Sequence, residues 1–308
     1  MGESEASIRG RVMRDLISHV TNDHLIGKKI KSGELRKKIS GVEAPWKCPD
    51  CFEMTVIETE KFRMELLTAK ENPNTQKVIL QLHGGGYVGA MRNAYRMFAG
   101  LYSEVSHGMS VLTVDYRVAP EHPYPAALED AYEAYCYLLN EGWFSEQIIL
   151  AGDSAGGGLA MALCHYLKDK GMQLPCGIVA MSPWTDLTAS GESYDTNYEK
   201  DPLFGKTRDS LIYNKDYVGD NDPLNAYISP LFGDFREFPP MLIQVGSYEM
   251  LLSDSVNVAA KAREQGVKVR LSIYEGMFHI FQMAAKMLPE SKRAWVEIGK
   301  FIDVLLND

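Results

Sequence analysis

The sequence predicts an α/β chain built on a mostly parallel, doubly wound sheet, and three observations carry that prediction. From about residue 75 to the C-terminus, short apolar runs alternate with longer segments of helical period. Most of the runs are continuously apolar, as strands covered on both faces require, rather than alternating in and out. The chain has 308 residues, 45% of them hydrophobic, enough for a large core in one domain with an insertion.

Taken in order, residues 4 to about 22 read as a helix with Ile8, Val12, Met13, Leu16, Ile17 and Val20 on one face. Residues 23 to about 50 are irregular and end in Pro45 and Pro49. Two strand-like runs, 54–57 and 62–67, suggest an opening hairpin. After the turn Asn72-Pro73-Asn74, strands are expected at 78–82, 110–114, 147–151, 177–181, 241–245 and 268–273. Helices are expected at about 91–107, 124–141, 155–170, 253–265 and 283–305. Such sheets bind ligands beyond the carboxyl ends of their strands. Residues 186–235 break the rhythm and are rich in Tyr, Asp, Asn and Pro. An insertion of that length is expected to be functional, rising over the site as a lid. The division is therefore a core of 51–185 and 236–308, with 1–50 and 186–235 forming a cap.

Composition excludes several roles. The net charge is −9, and no Lys/Arg stripe exists to neutralise phosphates, so no nucleic-acid partner is expected. The mixed basic segment 28–38 is interrupted by glycine and glutamate and reads as a solvated face or loop. No apolar run is long enough to span a membrane, and Arg9, Arg11, Arg14 and Asp15 stand where a signal peptide needs an apolar core. Five cysteines, an odd number, fit a reducing compartment. Cys48-Pro49-Asp50-Cys51 lacks a second pair or neighbouring histidines, so free thiols in a turn are expected and no metal. The expectation is a cytoplasmic protein with no cofactor and no membrane partner.

The chemistry centres on Gly152-Asp153-Ser154-Ala155-Gly156, which directly follows the apolar run 148–151. A strand that turns sharply into a helix needs glycine on both sides of the serine and pushes the hydroxyl out of the sheet. Serine is a weak nucleophile and needs a base. Of seven histidines, His279 alone follows the last strand in a loop, in Glu275-Gly276-Met277-Phe278-His279, on the same sheet edge as Ser154. His19, His107 and His165 fall in helical patterns, His24 follows the first helix, and His122 lies in a proline-rich turn. The acid that orients the base should follow strand 241–245, which favours Glu249 over Asp254 and Asp186. Asp254 reads better as a first-turn residue stabilised by the helix dipole. His83-Gly84-Gly85-Gly86-Tyr87 offers a run of backbone N–H groups that, together with the Ala155 amide, would form an oxyanion hole. No Lys-Ser/Thr follows these glycines, which argues against a phosphate loop.

These residues resemble the hormone-sensitive-lipase family of α/β-hydrolases. The matching stretches are His83-Gly84-Gly85-Gly86, Asp115-Tyr116-Arg117-Val118-Ala119-Pro120-Glu121, Gly152-Asp153-Ser154-Ala155-Gly156-Gly157, Ser182-Pro183-Trp184 and Ile228-Ser229-Pro230-Leu231. They cover roughly 75–305 in the family's order. The resemblance implies an α/β-hydrolase fold with a helical cap and a serine carboxylesterase acting through an acyl-enzyme. It assigns Ser154 as nucleophile, His279 as base and Gly84, Gly85 and Ala155 as the oxyanion hole. It also favours short acyl chains on a small-molecule ester substrate. One departure stands out: Glu249-Met250-Leu251 occupies a place where the family commonly has Asp-Pro-Leu. Tyr87, Asp153, Tyr194 and Phe204 are the expected substrate contacts. Amide hydrolysis and sugar-ester deacetylation use the same groups, and a non-catalytic ligand-binding receptor is the reading of another class. The complete set Ser154, carboxylate and His279 weighs against that last reading. The final strand is expected at a sheet edge, where it can pair in a homodimer.

Overall fold

The computed structural model describes residues 5–21, 43–207 and 209–307. His24 and the basic segment 28–38 lie outside these residues. Eight strands form one sheet: β1 (Phe52–Glu58), β2 (Arg63–Ala69), β3 (Asn74–Leu82), β4 (Met109–Asp115), β5 (Ile148–Asp153), β6 (Gly177–Met181), β7 (Met241–Gly246) and β8 (Val269–Tyr274). Their spatial order is β1-β2-β4-β3-β5-β6-β7-β8. The opening hairpin is antiparallel and joins β4 antiparallel, while every pair from β4 through β8 is parallel.

Sequence explains the order of burial. In β5 (Ile148-Ile149-Leu150-Ala151-Gly152-Asp153) every residue is buried, as the apolar run demands of a central strand. The edge strands β1 and β8 instead mix exposed and half-buried residues. Helices cover both faces: α1 (Ile8–Thr21), α2 (Asn93–Val105), α3 (Ala126–Asn140), α4 (Ala155–Asp169), α5 (Leu252–Glu264) and α6 (Pro289–Asn307). One face carries the larger cluster, including Leu80, Leu150, Tyr135, Leu163 and Ile243. The other packs Ile79, Val111, Ile149 and Val179 against Phe98, Trp295 and Ile302. Two aromatic edge contacts, Phe98–Trp295 and Tyr102–Trp295, join α2 to α6 there.

Two expectations need correction. The helix expected over 283–305 is a short 3-10 turn, Phe281–Ala284, followed by α6 beginning at Pro289. Proline has no N–H to give and a φ already suited to the first turn, so the helix starts there rather than running through it. The apolar face read on α1 is also split. Met13 and Ile17 pack against Ala6, Met277, Phe278 and Phe281, whereas Ile8, Val12 and Leu16 are exposed. Between β6 and β7 the expected insertion is present and mostly irregular, with helical turns at Ser193–Thr196, Leu211–Tyr213 and Pro230–Phe232. No helix among the described residues is long and apolar enough to cross a membrane.

Candidate active site

The turn after β5 is shaped by what its glycines exclude. A Cβ on Gly152 would collide with the Gly156 backbone, and one on Gly156 with the Leu82 and His83 carbonyls of β3 and its exit. Between them Ser154 adopts φ 51° and ψ −121°, a region that costs an L-residue on the order of 1–3 kcal/mol. Surrounding hydrogen bonds hold it there. Ser154 N donates to the Met181 carbonyl (2.9 Å), while its own carbonyl accepts from Trp184 N (2.9 Å) and Gly158 N (3.1 Å). Neighbouring β6 thus clamps the turn from one side, and α4 begins on the other.

His279 lies in the loop after β8 and Glu249 in the turn after β7, both at the carboxyl edge with Ser154. The Ser154 hydroxyl oxygen is 3.0 Å from His279 Nε2, and His279 Nδ1 is 2.9 Å from Glu249 Oε2. The second carboxylate oxygen accepts from Ser182 Oγ (2.8 Å) and from Gly246 N. Ser182 Oγ in turn accepts from Ile280 N (3.2 Å), so one hydroxyl ties the acid to the histidine loop. The sequence alone gives Ser182 no role. Its only signal was position: Ser182-Pro183-Trp184 stands at the carboxyl end of β6, beside both loops. The competing acids are engaged elsewhere. Asp254 Oδ2 accepts from Thr185 N (2.7 Å) and Asp186 N (2.8 Å), and Asp186 accepts from Thr188 and Ser190. Asp254 stands in the first turn of α5, yet burial outweighs the helix dipole and pushes its carboxyl up to about 8.

The glycine loop departs from expectation at one residue. Gly84 N donates to Asp153 Oδ1 (3.2 Å), which removes Gly84 as an oxyanion donor. Among the described residues, no protein acceptor engages the amides of Gly85, Gly86 or Ala155. Gly85 and Gly86 carry φ 112° and 61°, conformations that a side chain would resist. His83 anchors the loop, since its buried ring stacks on Tyr116 at 4.0 Å and Nδ1 lies 2.7 Å from the Gly84 carbonyl. Tyr116 OH donates to the His83 carbonyl (2.5 Å), and Ala119 N to the Tyr87 carbonyl (2.8 Å).

Of the four expected substrate contacts, only Phe204 is placed against the catalytic groups, its ring 4.7 Å from that of His279. Tyr87 is fully buried and stacked on Tyr217 at 3.8 Å. Tyr194 is buried, with its hydroxyl on the Asp186 carbonyl. Both are packing residues, because neither presents surface to a ligand. Asp153 holds the glycine loop rather than facing substrate. Leu211, which carries no signal in the sequence, covers Gly86: a Cβ there would meet Leu211 Cγ at 2.6 Å.

Asp153 also gives a pH prediction. Burial lifts its carboxyl from 3.8 to about 7, with His279 and the Gly84 amide pulling the other way. The folded state therefore holds a proton that the unfolded chain releases, and stability should fall as pH rises from about 4 to 7. Asp153→Asn is expected to reduce this slope without abolishing it, because buried Asp254 titrates over the same range, measured as the urea midpoint at pH 5 and pH 8. An unchanged slope in the variant would assign the pH dependence elsewhere.

Ser154, His279 and Glu249 stand in linear contact beside a glycine loop and a strand–turn–helix elbow, an arrangement of the kind acyl transfer requires. A family model described as the alpha/beta hydrolase fold matches residues 79–283. The chain belongs to the α/β-hydrolase family. An esterase of Acinetobacter venetianus is 37% identical over 233 residues, 75% of this chain and 76% of that protein. An acetyl-hydrolase of Streptomyces hygroscopicus is 38% identical over 226 residues, 73% of this chain and 75% of its own. The crystal structure of an esterase from the bacterial hormone-sensitive lipase family superposes with a TM-score of 0.86 at 32% identity. That likeness covers 98% of this chain and all of the other. This α/β-hydrolase is a carboxylic ester hydrolase of the hormone-sensitive-lipase type.

Proposed function

We propose that the enzyme hydrolyses small, short-acyl carboxylic esters through an acyl-enzyme on Ser154. The observation that carries this is the unbroken contact chain from Ser154 Oγ through His279 to Glu249. His279 Nε2 takes the hydroxyl proton as Oγ attacks the ester carbonyl, then passes it to the leaving alcohol. Glu249 holds the Nδ1–H tautomer and faces the imidazolium that forms. Negative charge on the tetrahedral oxygen is received by the amides of Gly85, Gly86 and Ala155, each such donor contributing about 3 kcal/mol. Water activated by the same histidine then releases the acid.

Residues 186–235 and the N-terminal part, 1–50, act as the cap in this reading. Phe204 against His279 and Leu211 over Gly86 place bulky side chains beside the contact chain and the glycine loop, which supports a short acyl group. The similarity to an acetyl-hydrolase points the same way. The test is a p-nitrophenyl ester series from acetate to palmitate. Wild type should prefer acetate or butyrate, and Phe204→Ala should move the optimum towards octanoate with the acetate rate falling less than about tenfold. An optimum that stays put in the variant would remove Phe204 from the acyl pocket. A homodimer through the exposed edge of β8, where Ile273 is solvent-facing, belongs to the same proposal. Light scattering that finds only monomer at micromolar concentration would remove it.

A further inference from the structure

Helix α1 packs one half of its apolar surface and leaves the other half in solvent. Its inner side is well tied. Ser7, just before it, donates through N and Oγ to Glu290 of α6 (2.7 and 3.0 Å). Gly10 closes on Met277, and Met13 and Ile17 join the cluster of Met277, Phe278 and Phe281. Arg14 donates to the Gly276 carbonyl (3.3 Å), and its guanidinium lies 4.4 Å over the Tyr248 ring. Opposite, Ile8, Val12 and Leu16 are 72%, 62% and 58% exposed. Spaced four apart, they form one continuous ridge along the helix.

The charge around that ridge has the opposite sign to the molecule. Exposed Arg9 and Arg11 stand on either side of it. The helix holds three arginines against one aspartate, in a chain whose net charge is −9. That aspartate, Asp15, shares the outer side and is paired with Arg14 (3.3 Å). An aliphatic ridge rimmed by guanidiniums suits a surface whose acyl chains lie below a layer of phosphates. We propose that α1 docks this enzyme on anionic phospholipid surfaces, lying in the plane of the headgroups. At 14 residues the helix is too short to cross. That no described helix can cross a membrane therefore does not bear on it, and the proposal departs from the expectation of no membrane partner. The docking stands on the geometry of α1 alone and does not depend on which ester is cleaved.

The experiment is co-sedimentation of the full chain with vesicles of phosphatidylglycerol mixed with phosphatidylcholine, beside vesicles of phosphatidylcholine alone. Wild type should sediment with the anionic vesicles, more weakly with the neutral ones, and less as salt is added. Val12→Asp/Leu16→Asp should reduce partitioning at least about tenfold, since two aliphatic side chains no longer enter the bilayer. Arg9→Glu/Arg11→Glu should abolish the preference for anionic vesicles. Circular dichroism checks the fold of each variant, and all four positions are solvent-facing. Wild type that stays in the supernatant overturns the proposal, as does equal binding by the ridge variant or equal binding to neutral vesicles. A ridge variant that converts a dimer to monomer, with no vesicle binding by wild type, would assign the ridge to a second copy and overturn it too.

Discussion

Ser154→Ala should lower kcat/KM for p-nitrophenyl butyrate by about 10^4-fold or more, leaving only what the amides and the pocket do for attack by water. The fold should survive. Alanine meets the same φ of 51° as serine, so the backbone strain is retained and the loss is that of one hydroxyl with one hydrogen bond. Ser154→Gly separates the two effects. Glycine adopts this conformation without penalty, so the variant should be equally inactive yet more stable by on the order of 1–3 kcal/mol. Higher stability of Ser154→Gly than of Ser154→Ala would show that the elbow stores strain in the native enzyme. Removing His279 as well should add little, because nucleophile and base act as a unit. Residual turnover of Ser154→Ala above a hundredth of wild type would contradict the acyl-enzyme and require direct attack by water.

Much of this site was legible because its signals are local. The elbow is read from three consecutive facts: an apolar run, glycines flanking a serine, and a helical pattern after it. The order Ser154, Glu249, His279 follows from which strand each residue succeeds, and a parallel sheet places all such loops on one edge. What failed was whatever depends on direction. Gly84 and Gly85 look alike in sequence, yet only the structure shows the Gly84 amide turned to Asp153. Tyr87 and Tyr194 are equally good as pocket walls or packing until their partners, Tyr217 and the Asp186 carbonyl, are known. Helix α1 has apolar residues around half its circumference, and periodicity alone cannot say which quarter meets the core. Ser182 was invisible because its role lies in joining two loops distant in sequence, Glu249 and Ile280.

Glu249→Gln should cost about 10^3–10^4-fold in kcat, with a much smaller change in KM. The amide is nearly the same size, so the hydrogen bonds from Ser182 Oγ and Gly246 N can persist at Oε1. The group facing His279 Nδ1 would become an NH2 donor, which favours the wrong tautomer and leaves no negative charge beside the imidazolium. Glu249→Asp keeps the charge but withdraws it by one methylene, so it should recover part of the loss. Ser182→Ala leaves the carboxylate in place while loosening it, and about a tenfold fall is expected, in kcat rather than KM. Asp254→Asn supplies the contrast. Its carboxylate touches the Thr185 and Asp186 amides and not His279, so the variant should lose stability while its rate constant for folded enzyme stays within about tenfold. Two readouts keep these apart, urea midpoints for folding and initial rates for chemistry. If Asp254→Asn proved the slower enzyme at equal folded fraction, the acid would have to be reassigned, and the 2.9 Å contact of Glu249 with His279 would be positional only. If the order is as expected, the choice of glutamate at position 249 is explained by reach. The longer side chain lets one carboxylate meet His279 with one oxygen and be held by Ser182 and Gly246 with the other.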